Sequence, residues 1–85
     1  MRTRTKARQR AVESLFEAEQ RSVKSSEIFE RNPDVNDYAI ELAYLVETNI
    51  DRIDEVISTY SQDWPLERMP AVDRAIVRVA IAELL

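Results

Sequence analysis

The sequence predicts an all-α protein. Its 85 residues contain no glycine and only three prolines, and strong helix formers such as alanine, leucine, glutamate and arginine recur throughout. Apolar residues return at the three- and four-residue spacing that places them on one face of a helix. A chain of this length is expected to form one domain around a single core.

The first predicted helix covers about residues 5–20. Its apolar face is marked by residues at helical spacing: Ala11, Val12, Leu15, Phe16 and Ala18. Residues 21–26 are mostly polar and predict a loop, after which Ser26 could cap a short helix that holds Ile28 and Phe29.

A long helical segment is predicted next. Asn32-Pro33-Asp34 has the features of a helix start, because asparagine caps free N–H groups, proline fits the first position and an acid favours the positive end of the dipole. The apolar stripe that follows continues to Tyr60. We therefore expect a break between Thr48 and Asp51, where β-branched and Asn/Asp residues cluster.

The C-terminal part predicts a single helical turn and a final helix. The turn, Leu66 to Met69, lies between Pro65 and Pro70, and the helix begins at about Pro70 or Ala71. This helix is apolar on nearly every face, which is typical of a helix at the centre of a fold. We expect that the sequence is cut short or that another chain covers the exposed face.

Charge is divided unevenly along the chain. Five of the 12 basic residues lie in the first ten positions, and all 16 acidic residues lie beyond them. The net charge of −4 hides this division between a basic arm, residues 1–10, and an acidic body. Such a division predicts an arm that binds a polyanion, and nucleic acid is the obvious one. A solvated tail, or an arm that binds an acidic protein or membrane surface, is the alternative.

Several classes of function are excluded by composition. The chain has no cysteine, histidine or glycine, so it offers no disulfide, no thiolate or imidazole ligand and no glycine-rich phosphate loop. We expect no enzymatic activity, no cofactor and no metal. No apolar run reaches the roughly 18 residues of a membrane span, which predicts a cytoplasmic protein. The acid-free start also resembles a transit peptide, but only Met1 and Ala7 are apolar there.

The geometry of the arm depends on its conformation. In an extended arm all five cations would project to one side, whereas a helix would divide them into two stripes: Arg2, Lys6 and Arg10 on one, Arg4 and Arg8 on the other. Because Thr3 and Thr5 disfavour a helix, we expect the first few residues to fray until a ligand orders them.

Other candidate residues have structural explanations. Phe16 could stack on a base but lies on the apolar stripe, which favours the core. Three tyrosines are predicted to pack against apolar neighbours and keep a solvated hydroxyl: Tyr38, Tyr44 and Tyr60. Trp64 is predicted to cover a joint between helices.

The charged residues of the acidic body also have structural explanations. Asp51, Asp54 and Glu55 are predicted to form a solvated helix face. Asp73 suits the first turn of the last helix, and Arg74 and Arg78 are either edge residues or partner contacts. Glu83 should be paired, since an unpaired buried carboxylate is costly.

Two stretches carry a family resemblance. Residues 6–20, KARQRAVESLFEAEQ, and residues 64–84, WPLERMPAVDRAIVRVAIAEL, resemble the opening helix and the segment before the central helix of the NusB family of transcription antitermination factors. The spacer from Ile53 through Tyr60 to Trp64 also fits, so the resemblance covers nearly the whole chain.

The resemblance implies a NusB-like helical bundle. Residues 5–85 would form an incomplete domain, with the first three-helix bundle and the central helix of an incomplete second bundle. It also implies binding of boxA RNA together with the small-subunit ribosomal protein NusE, and an indirect role in the RNA polymerase antitermination complex. The RNA-binding residues implied by the resemblance are Arg4, Lys6, Arg8 and Arg10, and the charge of the arm adds Arg2. The implied partner-binding residues are Phe16 and Asp73, and Arg74, as a charge on an apolar helix, is predicted to join them.

Two other interpretations remain open. NusB-like domains also occur fused to ribosomal RNA methyltransferases, although the run from Met69 to Arg74 is more similar to the free-standing factor. Alternatively, the chain is a helical oligomerisation module, associated through its last helix, whose basic arm is incidental.

Overall fold

The computed structural model describes residues 2–31 and 36–85, with side chains from Arg4 onward. All regular structure in these residues is helical, which confirms the predicted all-α class. The elements are α1 (Arg2–Arg21), α2 (Ser25–Glu30), α3 (Asp37–Thr48), α4 (Ile50–Tyr60), a 3-10 turn (Leu66–Arg68) and α5 (Ala71–Ala82).

Helix α1 includes the basic arm. It begins at Arg2, so the predicted start near residue 5 was wrong. The low helix propensity of Thr3 and Thr5 is a small cost compared with the stability that α1 gains by packing against α2, α3 and α5.

The C-terminal end of α1 is closed by a Schellman motif. The Val23 N–H donates to the Ala18 carbonyl at 2.9 Å, and the Ser22 N–H donates to the Glu19 carbonyl at 3.2 Å. Ser22 takes the left-handed conformation, with φ of 56°, at a position where glycine is usual. The chain has no glycine, so a serine bears the steric cost of this turn.

The N-terminus of α2 is capped from another helix. Ser25 rather than Ser26 is the first helical residue, and Lys24 at the cap position contributes no side-chain hydrogen bond. The Glu47 carboxylate of α3 accepts from the Ser25 N–H and from the Ser25 hydroxyl, both at 2.8 Å. The predicted Ser26 cap was therefore wrong, because a tertiary contact satisfies the free N–H.

Helices α3 and α4 are separated by a single residue. The predicted start at Asn32-Pro33-Asp34 lies outside the described residues, and α3 is capped by Asn36, which accepts from the Tyr38 N–H at 2.7 Å. The predicted break between Thr48 and Asp51 is confirmed, since α3 ends at Thr48 and Asn49 joins it to α4.

One apolar core joins the helices. Its buried cluster draws on α1, α3, α4, the residue after the 3-10 turn and α5: Ala11, Leu42, Val46, Ile53, Ile57, Met69, Val79 and Ala82. Helix α5 packs against α1, α3 and α4. One stripe of α5 is uncovered, since Val72 and Ile76 are 44% and 50% exposed, and Leu84, two residues beyond its end, is 82% exposed. The core thus fixes α1 against α5, the two helices that carry the candidate sites.

Candidate RNA-binding and partner-binding surfaces

The described cations of the arm lie in two rows on different sides of α1. A helix turns about 100° per residue, so Arg4 and Arg8, here called the inner row, lie on one side of the face that buries Ala7 and Ala11. Lys6 and Arg10, the outer row, lie on its other side, roughly 120–160° from the inner row. All four cations are exposed. The side chain of Arg2 lies outside the described part. The two-stripe arrangement expected for a helical arm is therefore seen for the four described cations.

The inner row contacts α3 and α5. The Arg8 Nε–H donates to both Glu83 carboxylate oxygens, at 2.8 and 2.6 Å. Tyr38 joins this contact, because its hydroxyl donates to Glu83 Oε2 at 3.1 Å and its ring lies 5.4 Å beneath the Arg4 guanidinium. The hydrogen bond that Arg8 donates to Glu83 raises the pKa of the Arg8 guanidinium. The expectation that Glu83 is paired is confirmed.

The outer row has a different environment. Lys6, Gln9, Arg10 and Glu13 line a shallow polar groove of about 460 Å³. The salt bridges formed among the described residues involve Arg8, Arg21, Arg74 and Arg78 but neither cation of this row. Two exposed positive charges thus remain available for an anion.

Phe16 lies on a second surface, between α1 and the start of α5. The prediction that it is a core residue was wrong, since it is 38% exposed. With Val72 it lines a groove of about 530 Å³ whose other residues are Val12, Glu13, Glu17, Gln20 and Arg21. Asp73 follows Val72 in the first turn of α5 and is half-buried. Phe16 therefore lies in an apolar groove with a charged rim, and Asp73 lies beside that groove in the first turn of α5.

Arg74, the third predicted partner contact, is engaged within the chain. Its Nη1 donates to the Leu66 carbonyl at 3.2 Å and to the Met69 carbonyl at 2.6 Å, and its Nη2 donates to the Glu19 carboxylate. The hydrogen bond from Arg74 holds the pKa of Glu19 below its ordinary value. This arginine ties the 3-10 turn to α1 and α5, and its side chain is 20% exposed.

Arg78 of α5 forms an ion pair with Asp54 of α4. Arg78 donates from Nε and Nη2 to the two Asp54 oxygens, each at 2.9 Å, and also lies 3.3 Å from Glu19. The prediction that Asp54 belongs to a solvated face was therefore wrong, whereas its neighbours Asp51 and Glu55 are exposed. An arginine on an apolar helix requires a partner, and that signal could have found this pair.

The aromatic residues divide between packing and exposure. Tyr38 packs against the core as predicted, but its position in the inner-row contact was missed. Tyr44 and Tyr60 are 65% and 85% exposed, so the prediction that they are packing residues was wrong. Trp64 is 48% exposed and covers its joint only in part. The spacing of these residues in the sequence predicted that their rings lie beside an apolar stripe. It did not show which residues of other helices contact the rings.

The described residues contain neither a membrane-spanning helix nor a cluster of metal ligands. No helix among them is long and apolar enough to cross a membrane. Within the same part of the chain, no group of three or more Cys, Asp or Glu side chains is arranged to hold a metal ion.

Comparison with known proteins gives the family. The sequence model of the NusB family matches residues 5–85. The chain is 49% identical over 90 aligned positions to the transcription antitermination protein NusB of Kineococcus radiotolerans, which covers 100% of this chain and 66% of that protein. It is 48% identical over 88 positions to the same-named protein of Thermobifida fusca, with 98% of this chain and 62% of the relative covered.

A third relative gives the same result. The transcription antitermination protein NusB of an Arthrobacter species is 46% identical and aligns with 100% of this chain and 66% of its own length. The chain thus spans about two thirds of the length of these curated relatives. On the family match and the extent of identity, this chain is a member of the NusB family.

Proposed function

We propose that this chain is a non-enzymatic, RNA-binding transcription antitermination factor that acts in the cytoplasm and recognises boxA RNA together with the ribosomal protein NusE. The observation that carries the proposal is the basic face of α1 on an otherwise acidic chain of the NusB family. Phosphate contacts position an RNA strand but do not read its sequence. Joint binding with a protein partner supplies the specificity that the arm alone lacks.

A salt titration tests the RNA-binding part. The arm carries five cations, and log K should fall against log salt with a slope of about −0.7 for each phosphate contact to a single strand, hence about −3 if four or five of them make contact. The titration compares boxA-like RNA with a scrambled RNA, with and without NusE. Tighter and sequence-selective binding in the presence of NusE supports the proposal. Weak and unselective binding in both cases would reduce the arm to an electrostatic tail.

A matched control separates the arm from total charge. Arg31→Ala combined with Arg52→Ala removes two exposed cations from other surfaces. This variant should retain the slope of the unmodified chain if binding is local to α1.

The groove beside Phe16 is the proposed NusE surface. An exposed aromatic ring beside Val72, with charged residues at the rim, suits a protein contact whose apolar centre excludes water. Asp73 is proposed to contribute at the edge. Arg74 is proposed to act here mainly by holding the 3-10 turn in place, because its donors are already used within the chain.

Substitution of Phe16 tests this surface. Phe16→Ala should weaken NusE binding by tenfold or more, since a buried aromatic contact is worth about 1.4 kcal/mol or more. Tyr44→Ala is the matched control, because Tyr44 is an exposed aromatic residue on α3. Equal NusE affinity of both variants, measured by calorimetry, would rule out the groove.

The second candidate is a helical RNA-binding or oligomerisation module without antitermination activity. It is favoured by the uncovered stripe of α5, where the exposed residues Val72, Ile76 and Ala80 recur every four residues, and by the exposed Leu84 just beyond the helix. A second copy of the chain could cover this stripe. Sedimentation of the unmodified chain against Ile76→Lys tests it, and a monomer at all concentrations would remove this candidate.

A further inference from the structure

We propose that the outer row, Lys6 and Arg10, binds the RNA phosphates, and that the inner row, Arg4 and Arg8, is a structural clamp that holds α1 against α3 and α5. The inference rests on the proposed RNA-binding function and deepens it. It assigns different roles to cations that the sequence places in one arm.

The two rows lie on different sides of α1. At about 100° per residue they are roughly 120–160° apart around a helix that is about 10 Å wide with its side chains. The inner row contacts α3 and α5 through Tyr38 and Glu83. The outer row borders a groove whose lining residues all belong to α1, so a strand can approach it without displacing a contact to another helix.

Arg8 is already neutralised by Glu83. The Glu83 side chain is 19% exposed, whereas that of Arg8 is 45% exposed. If Arg8 turned to bind a phosphate, the half-buried Glu83 carboxylate would lose the Arg8 hydrogen bonds. Of its observed donors only the Tyr38 hydroxyl would remain. Leaving a buried charge without its partner is costly, and the carboxylate would repel the phosphate. Arg8 is therefore a poor site of counterion release.

The position of Arg4 is also set within the chain. Its guanidinium lies 5.4 Å from the centre of the Tyr38 ring, within the range of a favourable cation–π contact. Tyr38 thus contacts one inner-row cation through its ring and, through Glu83, the other. The contact joins α1, α3 and α5 and fixes the rotation of α1, which sets the direction in which the outer row points.

The outer row has the features that a phosphate contact requires. Both cations are exposed, neither forms an ion pair with a described residue, and Gln9 between them offers an amide to the same groove. Glu13 borders the groove one turn further along and places a negative charge at that end. The predicted footprint therefore extends from Arg10 towards the N-terminus.

Two double variants test the division. Lys6→Ala with Arg10→Ala should flatten the salt slope for single-stranded RNA by about 1.4, the loss of two contacts at about 0.7 each. Arg4→Ala with Arg8→Ala should leave the slope unchanged and lower the urea midpoint of unfolding. The Arg31→Ala and Arg52→Ala variant should change neither quantity. Equal flattening by the inner-row and outer-row variants would overturn the inference.

Glu83→Gln distinguishes a clamp from a competitor and keeps the test open if the inner-row variant does not fold. The substitution preserves shape and removes the charge that neutralises Arg8. If the inner row is a clamp, the variant is less stable and its salt slope is unchanged. A slope steeper by about 0.7 with tighter RNA binding would show that Glu83 masks a phosphate site at Arg8.

The failure of the inference is distinguishable from failure of the proposed function. If the unmodified chain binds RNA without salt dependence, RNA binding by the arm fails altogether. If the unmodified chain shows the slope but the slope follows Arg4 and Arg8, only the division into two roles fails.

Discussion

Replacing Asp54 with alanine is expected to lower the free energy of unfolding by about 2 kcal/mol. The reason is that Arg78 would lose two hydrogen bonds of 2.9 Å to one carboxylate. Breaking a fully buried pair costs about 3–5 kcal/mol, and an exposed pair is worth about 0–1 kcal/mol. The side chains of Arg78 and Asp54 are 19% and 30% exposed, which places this pair between the two limits.

Urea denaturation followed by circular dichroism measures the effect. With a denaturant dependence of about 1 kcal/mol per molar urea, typical of a small domain, the midpoint should fall by roughly 2 M at unchanged slope. Glu55→Ala is the matched control, because Glu55 is the next residue of α4 and is exposed. Its effect should remain within about 0.5 kcal/mol.

The reasoning would be refuted if Asp54→Ala and Glu55→Ala had equal midpoints. A double-mutant cycle with Arg78→Met gives a second check, since residues in direct contact should couple by about 0.5–3 kcal/mol. Additive effects of the two substitutions would mean that the pair contributes no stability despite its geometry.

Three further predictions concern single side chains. Ser22→Gly should raise stability by about 0.5–1 kcal/mol, because glycine adopts the left-handed turn without steric cost; a lower urea midpoint would contradict this. Asn36→Ala should cost about 1 kcal/mol through loss of the α3 cap, and an unchanged midpoint would show that α3 does not need it. Glu19 has a lowered pKa in the folded chain, so its stabilising effect is present above the ordinary glutamate pKa and is lost as pH falls through the lowered value. Glu19→Gln should therefore make stability less sensitive to pH below about 4.3, and parallel pH profiles in urea would refute this.

Helix positions were largely predictable from local sequence. The break at Asn49, the turn between Pro65 and Pro70, and the start of α5 at Ala71 all agree with the patterns that predicted them. Helix propensity and proline geometry act over a few residues, so the local sequence is enough to predict where these helices begin and end. The start of α1 was the exception, because packing outweighed the local effect of two threonines.

The candidate sites were predictable as residue types but not as arrangements. The arm was recognisable from its charge, yet its division into a row that contacts other helices and a row that does not pair with any described carboxylate depends on Glu83 and on Tyr38 of α3. Phe16 lies on an apolar stripe, but periodicity does not show how far that stripe extends beyond the neighbouring helices.

By itself, then, the sequence determined the helical class, the main helix boundaries, the basic arm and the resemblance to the NusB family. Only the tertiary structure decided which charges are neutralised inside the chain and which remain for a ligand. Arg8 and Arg10 illustrate the difference, since both are arginines of one helix, two residues apart. The first meets Glu83, 75 residues away in the chain, and the second faces solvent. Helix propensity acts locally, whereas pairing between charges distant in sequence is set by how the helices pack.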